Sequence, residues 1–195
     1  MLILMNASKA EMAAAHARYL RGVADTHVRL RSHLRDTGGP EADGTLGSLK
    51  DIGYWFMEHL NDKASSFPEG WLPAWWGDTP TADSSKDATC PLTRQQLNLI
   101  DEVHVYIAEV LLREVPGSEW VIYRGHKRDW RYGTTVLRLK GERHTFPLSL
   151  VYGVALHMVQ GNTKVLWPDV FFDVVTREIS ATDAGRTTEP GKQTC

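Results

Sequence analysis

The sequence predicts an α+β fold, on three observations. Long helical apolar patterns occupy residues 7–35, 46–62 and 93–115. Short strand-like runs follow at 120–123, 134–140 and 143–146. Between the two sets, Pro116-Gly117 breaks the third helix and EWVIY begins at once, so a buried helix turns directly into a strand. The expected arrangement is an N-terminal helical pair (1–62), an irregular Trp- and Pro-rich connection (63–92) and a core (93–179). That core comprises a long central helix, a three-stranded antiparallel sheet and C-terminal helices. A tail at 180–195 is expected to be disordered.

In the first helix Ala10, Ala13, Ala17, Leu20, Ala24, Val28 and Leu34 approximate one stripe. Asn6 or Ser8 can cap it, Glu11 supplies first-turn negative charge, and Gly38-Gly39-Pro40 stops it. Its other side is basic: Arg18, Arg21, Arg29, Arg31 and Arg35, with His16, His27 and His33. The second helix places Leu46, Leu49, Ile52, Phe56 and Leu60 on one face, and its short connection suggests an antiparallel pair with the first. Four prolines (68, 73, 80 and 91) disfavour regular structure between the second and third helices.

Thr93 is a good N-cap for the third helix. Leu97, Ile100, Val103, Ile107, Val110 and Leu111 form its buried face, and Leu99, Val105 and Leu112 widen it. A helix apolar over so much of its circumference is covered on more than one side. In 134–140, Thr135, Leu137 and Leu139 alternate with Val136, Arg138 and Lys140. Gly141-Glu142 is a tight turn, Pro147 opens a helix over 148–160, and Gly161-Asn162 ends it. A last segment, 165–179, is helical or mixed.

Composition is that of an ordinary globular protein: 195 residues, 42% hydrophobic and 24% charged. A net charge of -2 creates no global field toward nucleic acid or an anionic membrane. No run approaches the roughly eighteen apolar residues of a membrane span, and the start MLILMNASK lacks the basic and apolar regions of a secretory signal. The expected location is therefore the cytoplasm. Cys90 and Cys195 read as free thiols and give no zinc pattern.

Catalytic signatures are missing from the pattern. The eight histidines form no His-Glu-x-x-His motif, and the Asp101/His104 and Glu58/Asp62 pairs read as exposed helix polarity. There is no Gly-x-Ser-x-Gly elbow, Walker motif or Gly-x-Gly-x-x-Gly. The expectation is no catalytic residue, no metal and no cofactor. Binding candidates are of three kinds. Tyr106 and Glu109 share a face of the central helix, and a carboxylate there needs a partner, for which Arg113 is available. The seven tryptophans include Trp71, Trp75 and Trp76, which either close the core or mark a contact surface. Arg124, His126, Lys127, Arg128 and Arg131 surround Trp130 in a basic connection, which suits a solvated turn, an acidic protein partner or a nucleic acid.

Over about residues 92–162 the chain resembles small uncharacterised bacterial proteins of actinomycete type. These carry a Y-x-G-E helix, a strand opened by Trp and a late P…G helix. The matching residues are Tyr106, Glu109 and Val110, then Trp120, then Phe146-Pro147 and Gly161, with Ala108 in place of the glycine. The resemblance implies toxin-neutralising or accessory partners, hence binding of a protein. The alternative expectation is a small-molecule enzyme or ligand-binding protein, with a pocket between the 93–115 helix and the sheet walled by Tyr106, Glu109 and His104.

Overall fold

The structure is a computed structural model that describes residues 4–62, 72–76, 92–141, 143–162, 167 and 169–184. Helix α1 (Lys9–Thr37) starts at a capping box: Ser8 accepts from the Glu11 backbone N–H, and the Glu11 carboxylate accepts from the Ser8 N–H. It ends at Gly38, left-handed at φ 67°. Helix α3 (Arg94–Glu114) is capped the same way by Thr93 and Gln96. Between them lies α2 (Ser48–His59). Strands β1 (Glu119–Ile122), β2 (Thr135–Arg138) and β3 (His144–Thr145) form an antiparallel sheet in the order β1-β2-β3. The register pairs Trp120 with Leu137, Val121 with Val136, and Leu137 with Thr145. Helix α4 (Pro147–Val159) has Pro147 in its first turn, where a missing N–H costs nothing, and Gly161 follows it at φ 70°. Helix α5 (Val170–Ala184) is the last described element.

α3 is the centre of the molecule. It packs most heavily against α4 and α1, and α5 and α2 also contact it. From Gln96 to Leu111 every residue but Glu109 is buried. Leu49, Ile52 and Phe56 of α2, Ile100, Val103 and Ile107 of α3, Val151 and Ala155 of α4, and Phe171 of α5 share one core. Each large apolar side chain buried there contributes about 1.5–3 kcal/mol. Phe56 and Phe171 meet edge to face, with ring centroids 5.5 Å apart.

The α+β class, the helix order and the three-stranded sheet agree with the sequence reading, and four details differ. The buried face of α1 is Met12, Tyr19, Thr26, Leu30 and Leu34, whereas Leu20 and Val28 are exposed, Val28 at 67%. Alanines carry little burial drive, so the alanine-rich stripe did not decide which way the helix turned; the bulkier row, spaced seven and four apart, did. Nor are α1 and α2 chiefly paired with each other. Their contact is near the end of α1, where Trp55 donates to Thr37 and its ring meets His33, while each helix docks separately on α3. In β2 both Val136 and Leu137 are buried, but only Leu137 joins the main core, so both faces of this strand are covered. Finally, α5 extends to Ala184, into the segment expected to be a disordered tail; residues 185–195 lie outside the described residues, as do Cys90 and Cys195.

Candidate functional site

The reading of the Asp101/His104 pair as exposed helix polarity is corrected by the structure, in which both residues are buried. The polar residues face each other across the α1–α3 seam. Asp101 is buried and accepts three hydrogen bonds: from Thr26 Oγ1 at 3.0 Å, Arg29 Nη2 at 2.8 Å and Trp75 Nε1 at 2.7 Å. These donors satisfy a carboxylate that would otherwise be costly to bury. At the next residue of α3, Glu102 is buried with its Oε2 3.0 Å from His33 Nδ1. Burial pushes the Glu102 carboxyl above its ordinary value, and His33 opposes that.

His104, exposed by only 1%, has a fixed tautomer. Its Nδ1 lies 3.0 Å from the Ile100 carbonyl, which can only accept, so Nδ1 carries the hydrogen. Burial holds the ring below the ordinary histidine range, hence neutral. Nε2 is therefore a bare acceptor, and the Tyr19 hydroxyl, 2.7 Å away, donates to it. The Tyr19 hydroxyl is itself pushed well above its ordinary pKa, chiefly by burial, so the phenol keeps its proton.

The Tyr19–His104 pair forms part of the wall of a cavity of about 50 Å³ at the junction of α1, the sheet and the start of α4. The remaining wall is mainly apolar and aromatic: Trp75, Trp120, Trp130, Phe146 and Leu148. Trp120 meets Tyr19 edge to face, at 5.2 Å between centroids. Arg131 lies on the same wall. Its guanidinium sits 3.9 Å from the Phe146 ring centroid and is paired with Asp129 at 2.6 Å. The hydrogen bonds from Arg131 hold Asp129 down to about 2. Beside the cavity, an open and half-polar groove of about 610 Å³ runs along α1 past Arg18, Thr26, Arg29 and Trp76, and shares Tyr19 and Ala74 with it.

The residues singled out from sequence are dispersed over the molecule. His104, Trp75 and Trp130 come together at the cavity, and Trp76 lies at the groove. Tyr106 and Glu109 are not in the cavity wall. The Tyr106 hydroxyl accepts from the Gly44 N–H at 2.9 Å and bonds Ser48 Oγ at 2.6 Å, tying the α1–α2 connection to α3. Glu109 is partly exposed and pairs with His27, at 3.0 Å, not with Arg113, which donates to the Asp43 carbonyl. Arg124, Lys127 and Arg128 are exposed on the β1–β2 connection. Trp71 lies outside the described residues.

Tyr19, Trp120 and Phe146 were missed as site residues. The spacing of seven between Met12, Tyr19 and Thr26 is the one signal that could have placed Tyr19 inward. Among the described residues no group of three or more metal-ligating side chains occurs, and no helix is long and apolar enough to cross a membrane. Comparison with protein-family models, curated proteins and solved structures gave no match.

Proposed function

We propose that this chain is a non-catalytic binding protein that receives one apolar side chain of a partner protein in the cavity beside Tyr19 and His104. The size and lining of that cavity carry the reading. At about 50 Å³ it accommodates a group of side-chain size, whereas small-molecule sites usually span about 300–1,000 Å³. Aromatic walls around a small desolvated recess are the setting in which a single protruding residue contributes most to association. The buried ionisable groups nearby point the same way, since Asp101, Glu102 and His104 of α3 are each engaged by a residue of α1. The exposed Arg124, Lys127 and Arg128 lie on the connection that contributes Trp130 to the wall, and they suit a partner with acidic groups around its protruding residue. The finer reading is a cytoplasmic accessory or toxin-neutralising protein, which the resemblance to actinomycete-type proteins favours.

One observation favours the alternative of a small-molecule ligand: the neighbouring groove has the volume for one. A single comparison separates the two. Ala15 contributes to the cavity wall from α1 and is absent from the groove lining. Ala15→Phe therefore fills the cavity and leaves the groove open. The tagged chain is expected to retain a defined protein from host lysate and to lose it on Ala15→Phe, with the circular dichroism spectrum unchanged. Retention of the same protein by Ala15→Phe sinks the cavity reading. A metabolite that raises the melting temperature of both forms equally supports the groove.

A further inference from the structure

We infer that the groove along α1 is a second binding site, and that its ligand is a small monocarboxylic acid with a flat apolar body. The inference stands apart from the cavity reading and does not need it. The groove, of about 610 Å³, has the volume usual for small-molecule sites, which the cavity lacks. One of its walls is a side of α1 on which Arg18, Gly22, Asp25 and Arg29 recur at spacings of four, three and four. The other is the 72–76 segment, pinned to α3 by the Trp75–Asp101 hydrogen bond at 2.7 Å. Gly22 marks where the ligand lies. It sits inside a 29-residue helix, where glycine is less favourable than alanine. Its φ is not positive, and a Cβ built there meets no atom of the described residues within 4 Å. Neither a special backbone conformation nor packing among the described residues accounts for the missing side chain. A ligand lying against the α1 backbone in the groove does.

The charges in the lining narrow the class. Arg29 and Asp101 are engaged with each other at 2.8 Å, and Asp101 is further satisfied by Thr26 and Trp75. Arg18 is exposed and makes no ion pair or hydrogen bond among the described residues. Its guanidinium can therefore take a carboxylate through two parallel hydrogen bonds. Asp25 lies two helical turns further along the same wall, exposed and likewise without a partner among the described residues, and it repels a second acidic group. Leu72, Pro73 and Trp76 supply the apolar part of the lining, which suits a flat ring system.

The test titrates 2-naphthoate and its neutral, nearly isosteric amide, 2-naphthamide, into the full chain, followed by calorimetry. 2-Naphthoate is expected to bind about tenfold or more tightly than the amide, the worth of a charge-assisted hydrogen bond. Arg18→Met, at an exposed position, is expected to bring the two probes to equal affinity. Gly22→Leu places a side chain in the groove at a site with room for its Cβ, and is expected to abolish binding of both. Ala15→Phe, which fills the cavity, is expected to leave binding unchanged. Equal affinity of the two probes for the native chain, or a preference for the acid that survives Arg18→Met, overturns the assignment of ligand class. Binding that survives Gly22→Leu, or is lost in Ala15→Phe, overturns the assignment of the site. No binding of either probe to the native chain overturns the inference and leaves the cavity reading standing.

Discussion

Glu102 has one carboxylate oxygen against His33 and the other buried without a hydrogen-bond partner among the described residues. One helical turn earlier, Asn98 Oδ1 is in the same position. Two unpaired acceptors close together on one helix favour a carboxyl that keeps its proton. The sign of the consequence is definite. The folded chain holds this proton above pH 4.5, where the unfolded chain releases it, so the contribution of Glu102 is full below 4.5 and declines as pH rises through the raised folded value. Glu102→Gln mimics the protonated form. It is expected to be more stable than the native chain in urea unfolding at pH 7, with the difference gone by pH 4. Equal stability of the two at pH 7 would refute it. The sequence drew attention to Glu109 instead, and the reason is physical. Periodicity identifies the inward face of a helix only when another face is outward. α3 is buried nearly all round, so its apolar rows could not distinguish the glutamate in the seam from the glutamate at the edge.

Element ends were the most legible features of the chain, because each has a local cause. Ser8, Thr93, Pro147 and Gly161 act through neighbours within a few residues, and the structure uses all four as the sequence suggested, with Glu11 and Gln96 completing the two caps. Gly133 is different, since its requirement comes from a distance. Both Gly133 and Gly161 have positive φ, at 85° and 70°. A Cβ on Gly161 meets no atom of the described residues within 4 Å, whereas one on Gly133 falls 2.9 Å from Leu4 Cβ and 3.1 Å from Met12 Cγ. Gly161→Ala is expected to cost about 1–2 kcal/mol, the ordinary penalty of the left-handed region. Gly133→Ala adds the displacement of the start of α1, roughly 1–3 kcal/mol more. Chemical denaturation of the two variants in parallel measures the difference; equal losses would mean that Leu4 and Met12 do not confine this turn.

At the scale of the molecule, the α1–α3 seam joins parts of the chain that no local pattern connects. Thr26 and Arg29 lie more than seventy residues from Asp101, and Trp75 reaches the same carboxylate from the α2–α3 connection. That is why the fold class could be read from the sequence while the seam and the cavity above it could not: their residues become neighbours only after docking. The seam also makes a testable distinction. Asp101→Ala takes the shared acceptor from Thr26, Arg29 and Trp75 and is expected to cost about 3 kcal/mol or more. Arg29→Met with Asp101→Leu replaces charge by apolar volume and is expected to cost less than Asp101→Ala alone, measured by urea unfolding. A larger loss in the double variant would mean that the two charges are not the dominant partners. The same seam has a consequence for the chain during synthesis. The residues that receive α1 are made about seventy positions after Leu34, which at roughly 5–20 residues per second leaves the helix without its partner for several seconds or more. Its 29 residues, its reciprocal cap at Ser8 and Glu11 and its many arginines suit it to persist and stay solvated through that interval. α1 is thus built to wait for α3, and the arginines that stay exposed beside the seam are what keep it in solution while it does.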